Sequence, residues 1–124
     1  MRLAAVLAVL VLCACAPKAD PQPKILMLDC AAGFEALTAQ IAADPAIRQA
    51  PKEPNEPYRF YNAVGGKAAY MVTEAGAPGH PAVLMQQAVR DGGRLTMKNS
   101  GCPYGDPAGY RQLQAYLESL HAGR

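Results

Sequence analysis

The stretch AVLMQQAVRDGGRLTMK, residues 82–98, decides the fold class of this chain. Its apolar side chains recur at alternate positions, which is the period of a half-buried β-strand. Asp91-Gly92-Gly93 interrupts the alternation with a strong turn signal. The alternating apolar residues are Val83, Met85 and Val89 before this turn and Leu95 and Met97 after it. Two strands joined so closely pair antiparallel, so the stretch predicts a β-hairpin.

The residues before this hairpin continue the antiparallel pattern. Gly65-Gly66 is a two-residue hairpin signal, and a strand is predicted after it from Lys67 to Glu74. Residues 59–64 also alternate, but the pattern leaves open whether they form a strand. The proline-rich residues 50–57 favour a stiff crossover into the sheet over a ligand for an aromatic groove. The sequence therefore predicts three strands and leaves a fourth open.

Two amphipathic helices flank the predicted sheet in sequence. The first is predicted to begin after Asp29 and to end before Pro45, since Asp caps helices and proline stops them. Asp106-Pro107 opens the second, because it places an N-cap before a proline at the first helical position. The apolar stripes are Phe34, Leu37 and Ile41 in the first helix and Tyr110, Leu113, Tyr116, Leu117 and Leu120 in the second.

These elements predict a single α+β domain over residues 25–124. In the predicted two-layer arrangement, a three- to four-stranded antiparallel meander packs one face against both an N-terminal and a C-terminal helix. A chain of 124 residues has room for one such core. Residues 25–28, Ile-Leu-Met-Leu, form either a short buried strand or a segment that packs on the first helix, because periodicity cannot decide at this length.

The N-terminus has a different character from the rest of the chain. Met1-Arg2 is followed by ten apolar residues and then by Cys13-Ala14-Cys15. A positive start, a short apolar core and small residues before a cysteine are typical of an export signal. Ten residues span only about 15 Å as a helix, roughly half a bilayer core, which disfavours a permanent membrane span. An ordinary secretory cleavage after Ala16 is the alternative, although Pro17 would follow the cut.

Leu12-Cys13-Ala14-Cys15 resembles the lipobox that bacterial signal peptidase II recognises. The resemblance implies that residues 1–14 are removed as a signal peptide and that Cys15 carries fatty acyl groups such as palmitate. Residues 15–24, rich in proline, would then form the lipidated cysteine and a tether. The protein would be anchored in the bacterial cell envelope. Ala16 after the acceptor cysteine, where Asp would signal inner-membrane retention, favours the outer membrane facing the periplasm.

Four cysteines reduce to two in the mature domain. Cys13 leaves with the signal peptide and Cys15 takes the lipid, so Cys30 and Cys102 remain in an oxidising compartment. We expect these two to form a structural disulfide. A redox pair or a pair of metal ligands is the alternative. The bond would close a loop of about 73 residues and bring the starts of the two helices together.

His80 and Tyr104 are the candidate binding residues. His80 lies in the turn cluster Gly76-Ala-Pro-Gly-His-Pro81, where a functional side chain is readily displayed. Catalysis by histidine requires a nucleophile and an orienting group, and Ser100, the nearest loop hydroxyl, has no nucleophile motif around it. Tyr104 follows Cys102 and Pro103, and tyrosine is favoured at recognition surfaces. No catalytic residue is therefore assigned.

Several functional classes find no support in the sequence. A formal net charge of +2 gives no electrostatic case for nucleic acid. No P-loop, dinucleotide fingerprint or zinc motif occurs, so neither a cofactor nor a metal is predicted. Methionine thioethers suit Cu(I), but the four methionines considered do not cluster, and three of them fill predicted strand faces. They are Met27, Met71, Met85 and Met97.

The functional expectation is therefore a membrane-anchored envelope lipoprotein that acts as a binding module and not as an enzyme. Its partners would be the membrane, through the lipid, and another envelope protein or a small ligand. The alternative is a small periplasmic hydrolase, or a redox or metal-binding protein, that uses His80 or the Cys30/Cys102 pair. A pocket that brings His80 together with a carboxylate or hydroxyl would favour this alternative.

Overall fold

The computed structural model describes residues 24–122, with side-chain exposure described to residue 120. A 3-10 helix at Cys30–Ala32 precedes the first α-helix. The helices and strands are α1 (Phe34–Ala43), β1 (Ile47–Gln49), β2 (Tyr58–Ala63), β3 (Ala68–Thr73), β4 (Ala82–Asp91), β5 (Arg94–Pro103) and α2 (Pro107–Ala122). The predicted signal peptide, the lipidation site Cys15 and all of the tether before Lys24 lie outside the described residues.

The five strands form one antiparallel sheet in chain order, β1-β2-β3-β4-β5. The predicted α+β class with an antiparallel meander is thus confirmed, whereas the predicted count of three to four strands is too low. Residues 59–64, left open by the sequence, fall largely within β2, which pairs with β3 from Tyr58↔Thr73 to Asn62↔Ala69. The missed strand is β1, because three residues shortly before Pro51 are too few to show alternation.

The helices lie on opposite faces of the sheet, and this corrects the predicted two-layer arrangement. Leu37 and Ile41 of α1 pack on one face, and Leu113 and Leu117 of α2 pack on the other. The α1 face of the central strands consists of Ala68, Tyr70, Val72, Val83 and Met85, and the α2 face includes Met71, Ala82 and Leu84. Residues 70–73 and 82–86 are buried without interruption. Strands that are buried on both faces need a cover on each.

Two local features at the helix starts follow from side-chain capping. Asp29, the predicted N-cap of the first helix, accepts a hydrogen bond from the Ala31 backbone N–H at 3.1 Å and so caps the 3-10 turn instead. Gly33, with φ of 90°, separates that turn from α1. The Asp106 carboxylate accepts from the Gly109 N–H at 2.8 Å, as expected of the N-cap of α2.

The apolar segment at residues 25–28 is not a strand. Ile25, Leu26 and Leu28 pack partly buried against the α1 side of the core. The Tyr70 hydroxyl, which is buried under this segment, donates a hydrogen bond to the Leu26 carbonyl oxygen at 2.7 Å. Burial raises the pKa of Tyr70, with a smaller contribution from the nearby Asp44 carboxylate. The chain therefore runs along the α1 face before it reaches Cys30.

Candidate functional site

Cys30 and Cys102 meet at one end of the sheet. Their sulfur atoms lie 1.99 Å apart and their Cα atoms 5.3 Å apart, the geometry of a disulfide. Cys30 opens the exposed 3-10 helix, whereas the Cys102 side chain on edge strand β5 is fully buried. The link ties the segment before α1 to β5, across a separation of 72 residues. It places the start of α1 close to the loop that leads into α2.

Three rings form an aromatic cluster beside this disulfide: Phe34, His80 and Tyr104. The Phe34 ring meets the His80 ring edge-on at a centroid distance of 5.5 Å and the Tyr104 ring at 6.4 Å. The Tyr104 hydroxyl donates a hydrogen bond to the Cys30 carbonyl oxygen at 2.7 Å. The two predicted binding residues are therefore brought to the same end of the molecule, and both are half-buried. The contacts of these two side chains link the loops that carry them to α1, to β3 and to the segment at Cys30.

The hydroxyl that His80 meets is that of Thr73, not that of Ser100. His80 Nδ1 lies 2.8 Å from Thr73 Oγ1, which also accepts from the Ala82 backbone N–H at 2.9 Å. The Thr73 side chain is only 1% exposed, so its hydroxyl has no access to a substrate. A nucleophile must reach its substrate, and this pair does not. The contact instead fixes the turn between β3 and β4, in which the His80–Pro81 peptide bond is cis.

That turn also packs directly on the first turn of α2. Gly109 is buried, and a Cβ atom added to it would overlap the backbone N and Cα of Gly79. A Cβ atom on Gly79, which has φ of +70°, would lie 2.5 Å from the Tyr110 backbone N. Only a pair of glycines permits so close an approach of the two backbones.

Replacing Gly109 by Ala should therefore destabilise the protein, by about 1–3 kcal/mol from overpacking. Helix propensity alone predicts the opposite sign, a gain of about 1 kcal/mol for Gly→Ala inside a helix. Urea denaturation of wild type and Gly109→Ala checks the sign. A more stable variant would show that the turn and the helix do not pack as described.

A groove opens on the α2 side of the sheet, away from the disulfide. Its volume is about 220 Å³, and it lies between strands β2 to β4 and the C-terminal half of α2. Its lining is mainly apolar, with the amide side chains of Asn62 and Gln86 among it. The apolar side chains that line it are Phe60, Ala69, Met71, Leu84, Leu117 and Leu120. A concave apolar surface with a few polar groups is the usual form of a small-molecule site.

Aromatic rings flank this groove at the start of β2. Tyr58 stacks on Tyr116 of α2 at a centroid distance of 5.5 Å and meets Phe60 edge-on at 6.3 Å. The Tyr116 hydroxyl donates a hydrogen bond to the Glu56 carboxylate at 3.2 Å. Burial raises the pKa of Tyr116, and the Glu56 charge raises it further. These contacts hold the middle of α2 against the sheet, and the groove begins where they end.

Among residues 24–122, no cluster of His, Cys, Asp and Glu side chains is arranged to hold a metal ion. No helix in this same part of the chain has the length and apolar character needed to cross a membrane.

Comparison with known proteins gives no relative: the chain matches no family model, no curated protein and no solved structure. The functional interpretation therefore depends on the chemistry of the chain itself. The sequence pattern singled out His80 and Tyr104 but missed the groove. A signal for it was present, because Met71 and Leu84 are apolar and lie on the strand face opposite to Val83 and Met85.

Proposed function

We propose that this protein is a lipid-anchored module of the bacterial envelope, facing the periplasm, and that it acts by binding and not by catalysis. The lipobox-like residues Leu12 to Cys15 support the anchor. The groove beside α2 is the observation that supports binding, because it is the described cavity that combines apolar walls with amide groups. The contacts of His80 support a structural role for that residue, since its hydroxyl partner is buried.

The dimensions of the groove limit what it holds. An apolar cavity of about 150 Å³ accommodates benzene, so about 220 Å³ has room for one substituted ring or a short branched chain. Asn62 and Gln86 offer amide donors and acceptors at its margin. The Gln86 amide lies 3.5 Å from the Leu117 carbonyl oxygen, which connects this side chain to α2. The ligand class is therefore a small apolar group with one or two polar atoms, either free or as part of a larger envelope component.

Filling the groove should abolish such binding. Ala69 lies on the α2 face of β3, between Asn62 and Gln86, and its side chain faces the groove. Ala69→Leu adds three carbon atoms there without removing a core contact. We expect 4-methylphenol, used as a probe, to shift the NMR amide signals of the groove residues in wild type. Its affinity for Ala69→Leu should be at least roughly tenfold lower, as expected for the loss of about 1.4 kcal/mol.

Ala115→Leu is the matched control, because it adds the same atoms to an exposed position of α2. It should bind the probe as wild type does. Equal binding by Ala69→Leu, or shifts centred on the aromatic cluster instead of the groove, would contradict the proposed site. The latter result would return attention to His80 and Tyr104.

A further inference from the structure

The β4–β5 hairpin extends beyond the rest of the sheet. Pairing between β3 and β4 ends at Ala68↔Gln87, whereas pairing between β4 and β5 continues to Asp91↔Arg94. Residues 88–97 therefore form a two-stranded ribbon, which we call the arm. At about 3.3 Å per residue, four residues of each strand extend it by roughly 13 Å.

One face of the arm carries exposed apolar side chains. Leu95 is 66% exposed and Met97 is 44% exposed. Both lie on the same face, where Met97 is opposite Ala88 and Leu95 is opposite Arg90. Large apolar side chains grouped on a projecting ribbon add nothing to the core of this domain. Such a group is typical of a surface that contacts another surface.

The arm also carries a net basic charge. Arg90 lies on the face of Leu95 and Met97, whereas Arg94, opposite Asp91, and the exposed Lys98 lie on the other face. Lys67 lies at the root, where its carbonyl oxygen accepts from the Ala88 N–H at 2.9 Å. The whole chain is nearly balanced, with 12 Lys and Arg against 10 Asp and Glu. The basic charge is therefore a local concentration.

The N-terminal segment enters the domain at the same end. Lys24, the first described residue, lines a small depression together with Val64 and Lys67, next to the root of the arm. Cys15 precedes Lys24 by nine residues. At about 3.3 Å per residue, this segment extends over roughly 30 Å. A bilayer that holds a lipid on Cys15 therefore lies within reach of the arm.

We propose that the arm docks on the anionic phospholipid surface to which the chain is anchored. The arm enters end-on. Leu95 and Met97 reach the boundary between headgroups and acyl chains on one face, with Arg90 beside them, and Arg94 and Lys98 on the other face lie against lipid phosphates. Docking at a second point fixes the orientation of the domain, so that the disulfide end points away from the membrane. This inference rests on the lipid anchor of the proposed function.

A second copy of the chain is the alternative partner of the arm, because an edge strand such as β5 can pair with a strand of another chain. Antiparallel pairing of two β5 strands would place the cations of one arm beside those of the other. Like charges across a strand pair destabilise it. The charge of the arm therefore favours an anionic lipid surface.

The chain contains no tryptophan, so a single one introduced on the arm is a unique reporter. Leu95→Trp is purified from membranes and combined with vesicles of 30% phosphatidylglycerol and 70% phosphatidylethanolamine. We expect its emission to shift to shorter wavelength and to be quenched by brominated lipid. Both effects should be lost in pure phosphatidylcholine vesicles. Ala75→Trp, on an exposed turn at the opposite end of the sheet, is the matched control and should stay unquenched.

Removing the positive charges of the arm tests the electrostatic contribution to docking. Each Lys or Arg near an anionic surface contributes a factor of about five to binding. Arg90→Gln, Arg94→Gln and Lys98→Gln together should therefore lower the ratio of docked to undocked Leu95→Trp protein by roughly tenfold or more. Arg48→Gln with Arg111→Gln removes exposed cations from β1 and α2 and should leave that ratio unchanged.

The possible outcomes distinguish failure of docking by the arm from failure of the proposed lipid anchor. A protein that floats with anionic vesicles while residue 95 emits as in water retains the anchor and overturns docking. Emission shifted to shorter wavelength in buffer, together with the mass of a dimer, also overturns docking and assigns the arm to a second copy. Quenching by anionic vesicles when mass spectrometry finds no lipid on Cys15 supports docking and rejects the anchor.

Discussion

Replacement of Cys15 by Ser should abolish fatty-acid labelling of this protein in cells. The lipobox-like sequence places Leu12 three residues before Cys15 and the small Ala14 directly before it. The proposed acyl groups would be carried on a thioether, which a serine hydroxyl does not form. Each buried methylene contributes roughly 0.8 kcal/mol to membrane binding, so the several acyl chains of the proposed anchor would hold the chain stably. Growth with an alkyne fatty acid, followed by coupling to a dye, measures the label directly.

Cys13→Ser is the matched control for this experiment. It removes the neighbouring thiol and keeps a small residue in the middle of the Leu12–Cys15 stretch, so full labelling is expected. Equal labelling of wild type and Cys15→Ser would reject the assignment. Loss of the label in Cys13→Ser alone would move the acceptor to position 13, despite the bulky Leu12 before it.

The antiparallel core of the fold was predictable because its signals are local. Alternation on both sides of Asp91-Gly92-Gly93 defines a hairpin within seventeen residues, and Asp106-Pro107 marks a helix start without reference to the rest of the chain. The placement of the helices on opposite faces was not predictable in this way. Met71 and Leu84 show that both faces of the central strands are apolar, but alternation assigns one face of each strand to the core.

The candidate sites also differ in whether a sequence signal predicts them. The Cys30–Cys102 pairing was predicted by elimination, because two cysteines allow one intramolecular bond. The contact between His80 and Thr73 was not predicted, since a single threonine at the end of a strand carries no motif. The groove was missed for a related reason: its walls depend on the angle at which α2 crosses the sheet, and this is a tertiary property.

Loss of the disulfide should lower the free energy of unfolding by about 4 kcal/mol. In the chain-entropy model the stabilisation grows with the loop that the bond closes, and a loop of about 73 residues gives this value near 25 °C. Domains of this size have a total stability of about 5–15 kcal/mol. Because Cys30 is exposed and Cys102 fully buried, Cys30→Ser removes the bond without placing a hydroxyl in the core.

Urea denaturation of wild type and Cys30→Ser, each with and without dithiothreitol, measures this effect. With an m-value of about 1–3 kcal/mol/M, a loss of 4 kcal/mol lowers the urea midpoint by at least roughly 1 M. Reductant should lower the midpoint of wild type by the same amount and leave that of Cys30→Ser unchanged. This second comparison isolates the bond from the substitution, because the variant has no disulfide to reduce. A loss below roughly 1 kcal/mol would show that the unfolded chain is already compact. A midpoint of Cys30→Ser that responds to reductant would instead show that Cys102 has another partner.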